Sequence, residues 1–194
     1  MRVFLDFEAT SLAKMGTPIE VAWVFEDGRG ESHLIRPAPG WNDWDVRAEA
    51  IHRIPREQLL REGAPHDTVA ARMVQALDGH DLYASAPSWD GKWMSALLRG
   101  SGFERHRLRL RASDIAFAKR ARDELASSVP AEGLDAAVQA VLLRVTTEFR
   151  QRPVAHRALA DAREDWARWV AVGEAARAAA QPSTVSGTVP NNPA

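Results

Sequence analysis

The opening run Val3-Phe4-Leu5-Asp6-Phe7-Glu8 constrains the chain more than any other stretch. Its apolar residues predict a buried strand over Arg2 to Phe7. The run closes on two carboxylates that straddle Phe7. Residues two apart on a strand point to the same face, so Asp6 and Glu8 face one site.

The rest of the chain supplies partners for that strand. Ile19 to Phe25 and Glu31 to Arg36 read as a hairpin around the turn Asp27-Gly28-Arg29-Gly30. A loop with Trp41 and Trp44 follows, then two short helical pieces, the second from Pro55 to Arg61. Thr68 to Leu77 is amphipathic and helical. Asp81 to Ser85 is a fourth strand, Asp90 to Leu98 a helix, and Arg105 to Arg111 a fifth strand. Ser113 is placed to cap a helix reaching Ala126. Asp135 to Phe149 and Arg157 to Ala178 complete the helices. The pattern predicts an α/β fold, a mixed five-stranded sheet with helices on both faces. Residues 1–178 are expected to form one domain. Residues 179–194, rich in Pro, Ser, Thr, Gly and Asn, read as a disordered tail.

Composition narrows the chemistry. The 194 residues contain no cysteine, which excludes thiolate metal sites, disulfides and a cysteine nucleophile. Met1-Arg2-Val3-Phe4 enters a strand without signal-peptide architecture, and no apolar run reaches the length of a membrane span. A soluble cytoplasmic protein with no membrane partner is expected. The formal net charge of −1 offers no global basic field for nucleic acid, although an acidic metal site lowers the charge of any enzyme that has one. Lys14, Lys92 and Lys119 are the only lysines. The arginine and alanine bias is read as genomic base composition before it is read as phosphate binding.

Two further stretches join Asp6 and Glu8. Ser88-Trp89-Asp90 follows the fourth strand, and His156-Arg157-Ala158-Leu159-Ala160-Asp161 opens the last helix. Four carboxylates with a histidine beside them make a cage for two divalent cations, the arrangement that phosphodiester hydrolysis needs. Mg²⁺ and Mn²⁺ take oxygen ligands. An imidazole, with a reference pKa of about 6.5, accepts a proton from water at neutral pH. Clustered like charges raise one another's pKa, so a metal-free cage is costly.

These motifs resemble the DEDD exonuclease superfamily, in its histidine subgroup of the ribonuclease T and DNA polymerase III epsilon kind. Asp6-Phe7-Glu8-Ala9-Thr10 is similar to the family's Asp-x-Glu-x-Thr pattern. Pro18-Ile19-Glu20-Val21-Ala22 is similar to its second strand, Trp89-Asp90 to its second motif, and His156-x-x-x-x-Asp161 to its third. Ile51-His52-Arg53-Ile54 looks like the Ile-His-Gly-Ile segment of proofreading relatives. The likeness covers residues 1 to 170, and its weight lies in three motifs in the right order. Two positions depart: Ala86 stands where the family often has asparagine, and Ser11 where it often has glycine.

The resemblance implies a ribonuclease-H-like fold and a 3′→5′ exonuclease that releases nucleoside 5′-monophosphates from single-stranded DNA or RNA 3′ ends. It implies two divalent cations, Mg²⁺ or Mn²⁺, on Asp6, Glu8, Asp90 and Asp161, with His156 as general base. Thr10 and Leu12 match positions that seat the terminal nucleotide. The competing class is a catalytically silent nucleic-acid-binding or interaction module on the same fold. Loss of one of the five residues would favour it, and all five are present.

Other residues receive plainer readings. Glu164 and Asp165 are expected to be solvated. Trp41 and Trp44 are expected to pack their loop rather than stack on bases. Trp166 and Trp169 are read as core or as the face of a homodimer. Arg105, Arg107, Arg109 and Arg111 alternate, which on a strand puts all four on one face, read as a charged edge. His33, His66, His80 and His106 show no partner spacing.

Overall fold

The structure is a computed structural model that describes residues 1–153 and 155–181. Its elements are β1 (Arg2–Ala9), β2 (Pro18–Phe25), β3 (Gly30–Arg36), α1 (Val46–His52), α2 (Arg56–Glu62), β4 (Ala64–Pro65), α3 (His66–Leu77), β5 (Asp81–Ala84), α4 (Pro87–Gly100), β6 (Leu110–Ala112), α5 (Ser113–Leu125), α6 (Ala131–Phe149) and α7 (Ala158–Ala180).

The strands form one mixed sheet of order β4-β3-β2-β1-β5-β6. β1, β2 and β3 run antiparallel in succession, while β5 is parallel to β1 and β6 to β5. The sheet therefore has six strands, not five. The extra one, β4, is two residues long and ends in a proline, too short to leave a periodic signal.

Alternation along β1 divides the core. Val3, Leu5 and Phe7 pack on one face with Val69, Met73 and Leu77 of α3 and Leu97 of α4. Phe4 packs on the other face with Phe117 of α5, Val141 of α6 and Trp169 of α7. Asp6 and Glu8 are in phase with Phe4, so β1 directs them toward the α5–α7 layer. Trp169 is core, and Trp166 packs beside it while its Nε1 donates to the carbonyl of Glu26. Trp41 packs against the α3–α4 core and Trp44 against Ile19, Ile54 and Leu59.

Three expectations need correction. The fifth strand is not Arg105–Arg111 but only Leu110–Ala112. Within the preceding segment, Arg107 N–H donates to the carbonyl of Glu104, so Glu104–Arg107 closes a turn. The four arginines do not share a strand face. Arg107 instead pairs with Asp78 and Arg111 with Asp81. Ser113 does not cap α5: the cap residue is Ala112, and Ser113 Oγ is used elsewhere. Residues 179 and 180 belong to α7, and the tail expected beyond them lies, from residue 182, outside the described residues.

Candidate metal and nuclease site

β1 and β5 pair only through Arg2↔Asp81, Val3↔Leu82 and Phe4↔Tyr83. Beyond Phe4, the β5-side edge of β1 is unpaired. This opens a notch at the C-terminal ends of two parallel strands, where open α/β sheets place their ligands. The notch receives the first turns of α4 and α7.

The first turn of α4 brings Asp90. It is 2% exposed, and its Oδ1 accepts the Phe7 N–H at 3.3 Å, the amide left free by the splayed strands. Its Oδ2 is buried without a partner. The first turn of α7 brings Asp161. Asp6, Glu8 and Asp161 each offer a carboxylate oxygen within 4.8 Å of the other two. Asp90 stands beside this group rather than within it.

The acids repel one another and are drawn out of water. Burial, then the charges of Asp90, Glu8 and Asp161, hold Asp6 well above the usual carboxylate range. Burial, with Asp161 and Glu20 nearby, pushes Glu8 up to about 8 against the pull of Arg157. Burial raises Asp90 to about 7, and raises Asp161 although the His156 charge opposes it. Buried polar atoms normally find partners. Converging carboxylate oxygens with one orphan beside them form a donor set suited to a hard divalent cation, which would neutralise the repulsion. The residues present fit such an ion.

The α7 end of the site is held by a residue that the motifs did not single out. Glu20, 3% exposed, lies directly across from Glu8 in the β1–β2 register. Its carboxylate accepts from Arg157 Nε at 3.0 Å and Nη2 at 2.8 Å, and from the Ala158 N–H at 3.1 Å. Arg157, the cap residue of α7, makes no side-chain cap, so a strand supplies the acceptor for the helix terminus. The available signal was one acid inside Ile19-Glu20-Val21-Ala22-Trp23-Val24. A charge in a buried strand must be paired.

Asp165 is a correction. It is buried rather than solvated, and Ser113 Oγ donates to its Oδ2 at 2.5 Å. Burial raises it to about 6. One turn beyond Asp161, it lines with Glu164 the same cavity of about 340 Å³ that exposes Asp6 and Asp161. His156 is exposed, outside the acid group, with its backbone in the left-handed region at φ 51°. That conformation is uncommon for a non-glycine residue.

Thr10 is buried, and both Thr10 Oγ1 and Ser11 Oγ donate to Asp43 Oδ2, at 2.7 and 2.6 Å. The loop between β1 and β2 closes over Gly16, where a Cβ would lie 2.2 Å from the Ser11 carbonyl oxygen. Leu12 projects from that loop and is 65% exposed. His52 is buried, and its Nδ1 accepts from the Ile54 N–H at 3.1 Å. Arg53, at the glycine position of the Ile-His-Gly-Ile segment that this stretch resembles, has φ 57°. Ala86 is the cap residue of α4 and provides no side-chain acceptor there.

No protein-family model and no curated protein matches the chain. Solved structures do. The chain is similar to E. coli exonuclease I in its zinc-bound complex with single-stranded DNA, with a TM-score of 0.59 and 16% identity over 86% of this chain and 38% of that one. It is similar to the same enzyme in complex with a dA16 oligonucleotide, with a TM-score of 0.62 and 14% identity over 92% and 42%. For a moderately thermophilic exonuclease I from Methylocaldum szegediense, the TM-score is 0.59 and the identity 18%, over 87% and 40%. The chain thus spans about two fifths of the length of these proteins. At such identities the likeness is one of fold: the sheet and its helices have the ribonuclease-H-like arrangement of exonuclease I.

Proposed function

We propose that residues 1–178 form a metal-dependent 3′→5′ exonuclease domain of the histidine subgroup, acting on single-stranded nucleic acid. The observation that carries this reading is the convergence of Asp6, Glu8 and Asp161 within 4.8 Å, with the unpartnered Asp90 Oδ2 buried beside them. The fold likeness supports it, because the similar structures include complexes with single-stranded DNA.

In this reading Asp6, Glu8, Asp90 and Asp161 hold two divalent cations, Mg²⁺ or Mn²⁺. When bound, the cations polarise the phosphate and lower the pKa of water. Glu20 and Arg157 fix the helix terminus that carries Asp161. His156, on the exposed approach to α7, takes the proton of the attacking water when substrate draws its loop inward. Thr10, held by Asp43, and the exposed Leu12 flank the seat of the terminal nucleotide.

The test is digestion of 5′-labelled and 3′-labelled single-stranded DNA, RNA and duplex with Mg²⁺, Mn²⁺ or chelator. Stepwise shortening from the 3′ end that requires metal and disappears in Asp6→Asn supports the reading. Binding of single strands with no turnover in either metal would support the silent module instead.

A further inference from the structure

The carboxylate cavity is not closed on the α5 side. Ser85, Glu164, Asp165 and Arg168 form a wall that it shares with a groove of about 820 Å³ between α5, α6 and α7. The groove is polarised. Asp114 and Glu164 stand at the end around Asp165, where both act on its charge. Arg150 and Arg152 come from the other end, just past the last turn of α6.

The arginines are arranged to present their donors. Arg168 lies over the Phe117 ring at 4.9 Å and donates through Nη2 to Thr146 Oγ1 at 2.6 Å. Arg152 lies over the Phe149 ring at 3.8 Å. A guanidinium stacked on an aromatic face keeps its N–H edges free for a second partner. Arg150 and Arg152 are exposed, and neither pairs with a carboxylate among the described residues. A groove that joins a cation-binding acid cluster at one end to arginines at the other matches a chain of phosphates. One phosphate meets the acids through metal, and those next to it meet guanidinium forks.

We propose that this groove carries the nucleic-acid strand on the 5′ side of the scissile bond, with Arg150, Arg152 and Arg168 as phosphate contacts. The assignment rests on the exonuclease reading for its direction along the strand. It adds a binding track that none of the sequence motifs touches.

The test uses the full chain and the double substitution Arg150→Ala/Arg152→Ala. Both side chains are exposed, and a melting curve matching the unmutated protein checks the fold. Fluorescence anisotropy with a labelled long oligothymidylate in chelator reads binding without turnover. Affinity should fall roughly tenfold or more, and the log–log salt slope should shrink by about 1.4, at about 0.7 per phosphate on a single strand. Cleavage of the dinucleoside monophosphate dTpdT in Mn²⁺ should be unchanged, because its single phosphate is the scissile one and reaches only the acids. Unchanged affinity and slope would overturn the track. So would equal losses on dinucleotide and long strand, which would place the effect in the centre itself. If the unmutated protein cleaves neither substrate, the exonuclease reading falls, and the anisotropy still decides whether the groove binds a single strand.

Discussion

Glu20 Oε1 lies 2.8 Å from Arg157 Nη2, joining the middle of the sheet to the residue that follows His156. Glu20 is buried and Arg157 about half exposed. The two partners therefore differ in what their loss leaves behind. Arg157→Ala strands a buried carboxylate opposite Glu8, and breaking a buried pair costs about 3–5 kcal/mol. The lower end is expected, since the Ala158 N–H still donates to Glu20. Glu20→Gln retains an acceptor for that amide and leaves a cation that water can solvate, so its cost should be smaller. Urea unfolding of the two variants checks the order. Metal affinity should also fall by about 10–100-fold in Arg157→Ala, because Arg157 opposes the upward shift of Glu8. Calorimetric titration with Mn²⁺ reads this.

Stability of the metal-free protein should fall as pH rises. Glu8 moves from an ordinary value of 4.5 to about 8, and Asp90 from 3.8 to about 7. A carboxyl whose folded pKa is raised binds more protons folded than unfolded. Its contribution is complete below the unfolded value and is lost as pH climbs to the folded one. In chelator the melting temperature should therefore decline between pH 5 and pH 8 (a window set by those shifts). Added Mg²⁺ or Mn²⁺ should restore it, with the larger gain at the alkaline end. A metal-induced gain that is independent of pH would mean that the ions bind away from these acids.

His156→Ala should lower turnover on single strands by about 10²–10⁴-fold, the usual worth of a general base. Mn²⁺ affinity should stay within about twofold, because the acids do not lean on the imidazole for geometry. Parallel measurement of turnover and metal titration separates a proton-transfer role from a structural one.

Arg53→Gly should stabilise the protein. Arg53 is the left-handed cap of α1, at φ 57°. That conformation costs a side-chain-bearing residue roughly 1–2 kcal/mol, of which glycine returns roughly 0.5–1 through its freer unfolded chain. A net gain on the order of 0.5–1 kcal/mol is expected in urea unfolding. Turnover should be unchanged.

The motifs made the acid cluster legible because its carboxylates sit at element boundaries that periodicity marks well. β1 ends where its alternation puts Asp6 and Glu8 on one face, and α7 begins where the His156–Asp161 spacing suggests. The less legible residues depend on tertiary pairing. Asp165 resembles any acid on a helix surface until α5 brings Ser113 against it. The Arg105–Arg111 alternation imitates a strand, but Arg107 and Arg111 are used one at a time by Asp78 and Asp81. β4 exists because Ile35 and Arg36 of β3 offer Ala64 and Pro65 an edge to pair with, not through any propensity of Ala64-Pro65. Arg53 shows a different case: nothing in Ile51-His52-Arg53-Ile54 marked it as left-handed, yet its backbone takes that conformation as the cap of α1.

The splayed β1–β5 junction draws its acids from β1, α4 and α7, so no stretch of chain that stops short of Asp161 contains the full set. During synthesis the nascent protein consequently passes through most of its length with the acid cluster unassembled, until α7 docks. The same distribution offers an engineered control. Cutting the connection between α5 and α6 would leave Asp6, Glu8 and Asp90 on one fragment and Asp161 on the other, so that the acid cluster forms only when the two halves reunite.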